Sequence, residues 1–326
     1  MALSGPLEAP VYNARMRWPI VLAVVCGVCT AADLRVGIIG LDTSHAVEFT
    51  KILNRPDHPE HVPGAKVVAA YKGGSPDIKE SSSRVDKFTD QLRNELAVEI
   101  VPDIPILLSK VDAVLLLSID GRIHLEQVRP VFAARKPVFI DKPLAATLED
   151  ARAIAKLADE SHAHWFSSSS LRYGEIAKTM RFDDAQGAIA WGPGPFEEHH
   201  YLELAWYAIH PIEMLYSLLG PGCEEVTRIS ASDADEVTCR WKGGKIGTVR
   251  ALRPYGPYGA VVFRPKDVVE SPANAKAGYA PLLVEIVKFF QTGKPPVSNA
   301  ETLEIFAMMD AAQRSKEAGG KPMRLR

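Results

Sequence analysis

The sequence has little excess charge and no hydrophobic run of the length that spans a bilayer. Of its 326 residues, 38 are Lys or Arg and 40 are Asp or Glu, which gives a formal net charge of −2. Such a chain has no domain-wide positive field to hold a nucleic-acid backbone or an anionic membrane surface. Nucleic acid is therefore excluded as an expected partner, and the 47% hydrophobic content predicts a globular chain of about two domains.

Cysteine is scarce as well, with four residues in the chain. Cys26 and Cys29 have a CxxC spacing, but they fall inside an apolar N-terminal segment, and we assign them no redox or metal function. Cys223 and Cys239 are either a disulfide, if the chain is exported, or two buried thiols.

The N-terminal segment has the pattern of a secretory signal peptide. Arg15 and Arg17 precede the apolar run Ile20–Val28, and small residues follow at Thr30–Ala32. We expect cleavage after Ala31 or Ala32, export to the periplasm or the medium, and no stable membrane span afterwards. A membrane anchor is the alternative, although the run is much shorter than the ~20 residues that span a bilayer. Met16 is a candidate for the true start.

Apolar runs and helical patterns alternate through the first half of the remaining chain. Leu34–Gly40 is nearly continuous in apolar residues, as in a strand that is buried on both faces of a parallel sheet. Further strands are predicted at 65–71, 98–101, 113–118 and 137–140, and helices at 46–53, 104–108, 123–134 and 148–161. Residues 79–93 are polar and are interpreted as a loop or solvated face. This alternation predicts right-handed βαβ units.

After about Trp165 the pattern changes to short β-rich runs separated by Gly and Pro, which favours antiparallel strands. Strands are predicted at 226–231, 236–241, 246–252 and 260–263, and final helices at 281–291 and 300–317. The predicted fold class is α/β: a leader at 1–32, a Rossmann-type doubly wound parallel sheet at 33–162, and an α+β domain with an open, mainly antiparallel sheet at 163–326.

The turn after the first strand is the first candidate site. In a dinucleotide fold this turn presents backbone N–H groups and a helix N-terminus to a pyrophosphate, and glycines allow close approach. Of the three glycines of that fingerprint only Gly40 is present, because Asp42 and His45 occupy the other two places. The position still predicts cofactor contacts from Gly40, Asp42, Thr43, Ser44 and His45.

The end of the second strand is the next candidate. A dinucleotide site usually has an acidic residue here for the ribose hydroxyls, but this chain has Lys72 before Gly73 and Gly74. Lys72 could meet the 2′-phosphate of NADP, and an exposed lysine in a glycine turn is the alternative.

Asp141-Lys142-Pro143 follows a predicted buried strand. Ligands of open α/β sheets lie outside the carboxyl ends of the strands, so Lys142 is well placed to act on a bound hydroxyl or carbonyl. Asp141 and Lys142 are both counted with the cofactor-binding candidates as well.

A segment rich in histidine and carboxylates follows in the second domain. Glu203, Trp206, His210 and Glu213 share one face if they lie on one helix, so His210 is predicted to have a carboxylate beside it. We list His199, His200, Glu203 and Trp206 as substrate candidates. No spacing matches a zinc signature, so no metal is assigned. The alternative is a helix that packs His210 into the core.

Two long stretches resemble the Gfo/Idh/MocA family of oxidoreductases. Residues 111–158, "VDAVLLLSIDGRIHLEQVRPVFAARKPVFIDKPLAATLEDARAIAKLA", are similar to its fourth strand, the next helix and the EKP strand. Residues 279–325 resemble its paired C-terminal helices. The resemblance implies a Rossmann domain, a second open-sheet domain, NAD or NADP that is tightly bound or lost, and a sugar, polyol or related substrate between the domains.

The resemblance also implies roles for single residues. Lys142 matches the catalytic lysine of EKP, Asp141 stands in place of its glutamate, and His210 matches the catalytic histidine. By the same carry-over Ser118 and His124 lie beside the cofactor, whereas Trp206 stands where the family pattern has an aspartate.

The expectation is an exported NAD(P)-dependent oxidoreductase of a carbohydrate-like hydroxyl or ketone, and a homo-oligomer. The alternative is a non-redox sugar-binding or sugar-processing protein, lyase-like or hydrolase-like, on the same fold.

Overall fold

The computed structural model describes residues 32–326, together with residues 1, 2, 5, 8 and 9. The predicted leader, with Cys26 and Cys29, otherwise lies outside the described residues. Among the residues that are described, no helix is both long enough and apolar enough to cross a membrane.

A parallel sheet of six strands forms the first half of the described chain. Its order is β3-β2-β1-β4-β5-β6, and every neighbouring pair is parallel. The strands are β1 Leu34–Ile39, β2 Ala65–Tyr71, β3 Glu99–Val101, β4 Ala113–Leu116, β5 Val138–Ile140 and β6 Trp165–Ser167. The helices are α1 Ser44–Asn54, α2 Lys79–Ser82, α3 Val85–Glu95, α4 Ile104–Lys110, α5 His124–Ala133 and α6 Leu148–Ser161.

These strands form because they can be buried on both faces. Every residue of β4 and β5 is buried, and separate apolar clusters cover the two sides of the sheet. The Rossmann-type prediction is confirmed. The sheet also includes β6, which the sequence did not predict and which follows the expected domain boundary at residue 162.

The polar stretch at 79–93 is helical, and its interpretation as a loop is wrong. In α3 the inward positions are Val85, Thr89 and Leu92, at helical spacing. The remaining positions of α3 are mostly charged and exposed, which concealed this narrow apolar stripe in the sequence.

A second sheet of seven strands follows, with the order β12-β11-β7-β10-β9-β8-β13. Only β7 and β10 pair in parallel among its described strands, so the sheet is mainly antiparallel, as predicted. The strands are β7 Gly187–Pro193, β8 Cys223–Ser230, β9 Ala234–Trp241, β10 Ile246–Leu252, β11 Gly259–Phe263, β12 Val268–Glu270 and β13 Met323–Arg324. The helices are α7 Glu175–Thr179, α8 Glu203–Trp206, α9 Ile209–Leu219, α10 Ala280–Thr292 and α11 Asn299–Glu317.

Within residues 32–326, α9 packs on β7 and β10, and α11 packs on β8. A disulfide between Cys223 and Cys239 joins β8 to β9, with 6.0 Å between the two Cα atoms. The structure therefore decides between the disulfide and the two thiols that the sequence left open.

Candidate active site

A cleft of about 410 Å³ opens beyond the carboxyl ends of β1, β4 and β5, where the second domain faces them. Both domains supply its walls. From the first come Thr43, Ser44, His45, Glu80, Arg84, Ile119 and Lys142, and from the second Trp206, Tyr207, His210, Tyr255, Tyr258 and Tyr279.

Lys142 reaches this cleft from the end of β5, and its Nζ lies 5.5 Å from the centre of the Tyr207 ring. Burial lowers the pKa of Lys142, and the nearby Arg84 guanidinium lowers it further, whereas the Asp141 carboxylate opposes both. A lysine in these surroundings loses its proton more readily than a solvated one, so it suits acid–base chemistry.

His45 lies beside Lys142 at the first turn of α1. Thr43 caps that helix by accepting a hydrogen bond from the backbone N–H of His45 at 3.3 Å. The His45 Nδ1 contacts Asp141 Oδ2 at 2.5 Å. Burial disfavours the Asp141 carboxylate, but His45 and Lys142 outweigh that effect and hold the pKa of Asp141 below its usual value. The pair is thus fixed against the cleft wall.

His210 lines the cleft from α9. The prediction that a carboxylate lies beside it is wrong. The helix is interrupted between α8 and α9, so Glu203 does not share a face with His210. The Nδ1 of His210 contacts the Ser169 Oγ at 2.7 Å, and Glu213 pairs with Arg172 at 2.6 Å instead. Burial lowers the pKa of His210 well below its usual value, and the positive charge of Lys142 adds to this effect.

The turn after β1 is buried over its first half. Gly40 has a φ of +90°, and a side chain at this position would collide with Ser118. The backbone conformation and the packing therefore both require a glycine here. Asp42 is fully buried and accepts hydrogen bonds from Ser81 Oγ at 2.6 Å and from Ile119 N at 3.2 Å. Burial raises the pKa of Asp42, against the effect of the Ser81 hydrogen bond.

Ser118 and His124 are buried and do not border the cleft. Ser118 Oγ donates to Gln127, and the two ring nitrogens of His124 lie 2.7 and 3.1 Å from the carbonyl oxygens of Ser118 and Leu144. Their place in this structure is to connect the end of β4 to the segment after β5. Lys72 is half-exposed and pairs with Asp86 at 2.6 Å.

Of the four substrate candidates, Trp206 lines the cleft, and His199, His200 and Glu203 do not. Trp206 lines the cleft and meets the His200 ring edge to face, with 5.1 Å between centroids. His199 pairs with Glu197 at 2.5 Å, outside the cleft lining. Glu203 turns away and pairs with Arg228 and Lys316 at 2.6 and 2.7 Å, because the buried Arg228 needs a counter-charge.

Asp120 is a residue that sequence reasoning missed. It is fully buried and accepts from Ser75 Oγ at 2.6 Å, from Arg122 Nε at 3.0 Å and from His200 Nε2 at 3.1 Å. Burial favours the neutral acid, but these hydrogen bonds outweigh it and hold the pKa of Asp120 far below its usual value. Partners 45 and 80 residues away leave no local signal in the sequence.

The cleft region thus has two ends. We call His45, Lys142 and His210 the open end, because they border free space. We call Asp42, Ser75, Ser81 and Asp120 the closed end, because they are buried and hydrogen-bonded to each other or to adjoining groups. Among the described residues no group of three or more His, Cys, Asp or Glu could hold a metal ion.

A family model described as "Oxidoreductase family, NAD-binding Rossmann fold" matches residues 34–168, which span the whole parallel sheet. Through this domain the chain is similar to the Gfo/Idh/MocA family. Because the match extends to residue 168, it includes β6, which the structure also places in the parallel sheet. A comparison with curated proteins gives no match.

Solved structures of family dehydrogenases share the fold of both domains. A probable dehydrogenase from Thermotoga maritima is 20% identical, with a TM-score of 0.69 over 90% of this chain and 99% of the other. The myo-inositol dehydrogenase from Lactobacillus casei, solved with NAD(H) and myo-inositol, is 18% identical, with a TM-score of 0.69 over 90% and 97%. The myo-inositol 2-dehydrogenase from Lactobacillus plantarum is 15% identical, with a TM-score of 0.71 over 90% and 100%.

The family's cofactor fits one end of this region only. At the open end, Thr43 and Ser44 border the cleft at the N-terminus of α1, where a phosphate is favoured, and Ile119 and Lys142 provide the adjoining wall. At the closed end, Leu41 N donates to Lys72 O and Ile119 N donates to Asp42, so backbone donors are already used. Groups at the open end are therefore available to a ligand, whereas those of the closed end are hydrogen-bonded within the chain.

Proposed function

We propose that this protein is an oxidoreductase that acts on a hydroxyl or keto group of a sugar, a polyol or a related compound. The observation that carries the proposal is that Lys142 and His210 come from different domains to one cleft beyond the parallel sheet. The match of residues 34–168 to a model of NAD-binding oxidoreductases supports it, as do fold neighbours whose names specify inositol dehydrogenases.

Lys142 is the proposed acid–base residue. Burial lowers its pKa, so its amine loses a proton more readily than that of a solvated lysine and can exchange one with a substrate hydroxyl. His210, held by Ser169, would orient that hydroxyl. Trp206, Tyr207, Tyr255 and Tyr258 offer apolar faces with polar edges, which suit the two sides of a sugar ring. A nicotinamide bound near Thr43 and Ser44 would supply hydride-transfer chemistry.

The test is native mass spectrometry of the purified protein, followed by denaturation and an absorbance spectrum of the released material. Release of NAD(H) or NADP(H) supports the proposal and identifies the nucleotide. A preference for NADP over NAD stays a prediction. Lys72 would favour the 2′-phosphate of NADP, but in this structure its ammonium pairs with Asp86. A folded protein that comes off bare, and stays bare in titrations with both nucleotides, contradicts it.

A redox-neutral sugar-processing enzyme is the second candidate, and the closed end favours it. The buried Asp42 and its hydrogen bonds stand where the diphosphate and adenosine of a bound dinucleotide would need room. Such an enzyme would use Lys142, His210 and the same substrate pocket for proton transfers alone. It is distinguished by turnover of a sugar panel with no change in nicotinamide absorbance.

Export to the periplasm or the medium is part of the proposal. The disulfide between Cys223 and Cys239 supports it, because such bonds persist in oxidising compartments. Expression of the whole gene, with cell fractionation and N-terminal sequencing of the product, tests it. A cytoplasmic product that begins before residue 31 contradicts it.

A homo-oligomer is proposed as well. The face of the second sheet away from α9 exposes Ile229 by 66%, Ile246 by 56%, Phe263 by 38% and Val268 by 62%. Apolar side chains grouped on one sheet face are typical of a subunit interface. Light scattering after size exclusion tests this, and a monomeric mass at micromolar concentration contradicts it.

A further inference from the structure

His45 is held in a way that packing alone does not require. It stands at the third fingerprint position, where the dinucleotide pattern has a glycine, and its imidazole borders the cleft. The ring stacks on Phe49 with 5.0 Å between centroids and 11° between planes. The Tyr279 ring meets it edge to face at 4.8 Å. Two aromatic contacts and the Asp141 bond therefore fix the ring's position and rotation.

The tautomer of this imidazole follows from its partner. Because Asp141 is a carboxylate, the His45 Nδ1 at 2.5 Å carries the proton. The Nε2 is left as the nitrogen with a free lone pair, available to a ligand in the cleft. This is the arrangement by which a carboxylate orients a histidine base in hydrolases that use a His–Asp pair.

A carboxylate lies within hydrogen-bond distance of His45, whereas His210 contacts the Ser169 hydroxyl. The negative charge of Asp141 is therefore in place to offset a positive charge that forms on the His45 ring. Other charged or titratable groups that face this region are Lys142 after β5, His210 on α9, Tyr279 before α10, and Glu80 and Arg84 near α2 and α3.

We propose that His45 is a further catalytic residue, the general base for a substrate hydroxyl, and that Asp141 is its positioning residue. In this step the substrate O–H bond breaks, an N–H bond forms at His45 Nε2, and the oxygen keeps the electron pair. The resulting imidazolium is neutralised by Asp141, and the proton later returns from His45 to solvent or product. The substrate class rests on the proposed function, whereas the proton transfer is the same for redox and redox-neutral chemistry.

The first test needs no turnover. Diethyl pyrocarbonate acylates a histidine nitrogen with a free lone pair, and peptide mass spectrometry maps the sites. We expect His45 to be modified at its Nε2 and to be protected by saturating myo-inositol, the polyol probe. His61 is the matched control, because its Nδ1 also has a hydrogen bond, to Ile52 O at 2.9 Å, but it lies outside the cleft lining. An unmodified His45 overturns the inference, whereas a His45 that is modified equally with and without the polyol overturns the sugar-type substrate of the proposed function.

The second test separates catalysis from structure. His45→Asn keeps a nitrogen donor near the Nδ1 position for Asp141 but has no base, so kcat should fall by ~10²–10⁴-fold while KM stays within about threefold. His45→Gly should recover activity when imidazole is added, and His61→Asn should keep the parent kcat. Equal kcat for His45→Asn and the parent overturns the inference and leaves the proposed function standing. A parent that is inactive on every sugar and polyol overturns the proposed function, and the acylation result still decides on His45.

Discussion

The open end and the closed end of the cleft both contain ionisable side chains, but these side chains have opposite surroundings. At the open end, ionisable groups border free space, and burial lowers the pKa values of Lys142 and His210. At the closed end, Asp42 and Asp120 are fully buried, and neighbouring hydroxyl, backbone and cationic groups occupy their oxygens. The first arrangement leaves reactive groups for a ligand, and the second leaves none.

The two ends differ although both include residues that replace glycines of the dinucleotide fingerprint. Asp42 and His45 stand at two glycine positions of that fingerprint, three residues apart, and their side chains have different surroundings. Asp42 turns into the protein and ties the turn to Ser81, whereas His45 turns to the cleft and pairs with Asp141. The predictions below act on one end or the other.

The largest effect is expected at the open end, from Lys142→Met. This change removes the proposed acid–base amine and keeps the bulk of the side chain, so kcat should fall by ~10²–10⁴-fold. The pKa of His210 should rise, because the Lys142 charge is one of the causes that lower it. Kinetics on a substrate from the panel and histidine NMR measure the two effects.

Lys110→Met is the control for this prediction, since Lys110 is exposed and pairs with Glu99 at 3.1 Å on the surface. It should leave kcat and the His210 titration unchanged. Retention of more than a tenth of the parent kcat in Lys142→Met would remove Lys142 from the mechanism.

The next effect is expected at the closed end, from Asp120→Asn. Removing this buried carboxylate leaves Arg122 and His200 without their shared partner, so the free energy of unfolding should fall by about 3 kcal/mol at pH 7. The folded pKa of Asp120 is lowered, so its stabilisation is present above the unfolded value of about 3.9 and is lost as pH falls towards the folded value. The difference between parent and variant should therefore narrow below about pH 4.

Urea unfolding at several pH values measures this difference. Asp77→Asn is the matched control, because Asp77 pairs with the same Arg122 at 2.8 Å but lies exposed, and it should leave the unfolding midpoint unchanged. An Asp120→Asn midpoint equal to that of Asp77→Asn would show that the closed end is not held by this carboxylate.

A smaller effect at the open end is expected from Ser169→Ala. The Ser169 hydroxyl contacts His210 Nδ1 at 2.7 Å, and its loss leaves the imidazole free to rotate, so kcat should fall about tenfold with little change in KM. Ser169→Thr restores the hydroxyl and should recover the rate, whereas a rate that stays low would indicate a packing role. Ser168→Ala, at the adjacent buried serine, is the control.

Much of the fold follows from local patterns in the sequence. The continuous apolar run of β1 and the helical spacing of α6 predict buried strands and packed helices, because burial repeats with the period of each element. The short β6 was missed because it follows α6, which was interpreted as the end of the first domain, and α3 was missed because its inward stripe is narrow.

The site was less accessible from the sequence. Lys142, His210, His45 and Trp206 were candidates, and they line one cleft, although their roles remain predictions. Their partners were not found, since Asp141 lies 96 residues from His45 and Ser169 lies 41 residues from His210. Glu203 was misplaced because the helix breaks at Tyr207, after α8, and Glu203 pairs with the distant Arg228 and Lys316; no helical pattern reveals either feature.

The smallest effect, and the sharpest contrast with Asp120, is expected from Asp42→Asn. Burial raises the pKa of Asp42, so the folded state holds a proton that the unfolded state releases above about pH 4. The parent therefore loses stability as pH rises from about 4 towards the folded pKa, and an asparagine, which does not ionise, lacks this loss. The asparagine oxygen can still accept from Ile119 N, and its amide can donate to Ser81 Oγ.

Urea unfolding should accordingly show Asp42→Asn as less stable than the parent, or equal to it, at pH 4. Between pH 4 and pH 7 the free energy of unfolding of the variant should rise relative to that of the parent, by less than about 1.5 kcal/mol. Asp42→Ala is the comparison variant, because it leaves Ile119 N without an acceptor and should be less stable than the parent at both pH values. The two carboxylates of the closed end would then respond to pH with opposite signs, Asp120 stabilising the fold more as pH rises and Asp42 less. A gap between parent and Asp42→Asn that is constant from pH 4 to 7 would mean that Asp42 is ionised in the fold, and that the turn after β1 carries a buried negative charge where the family binds a diphosphate.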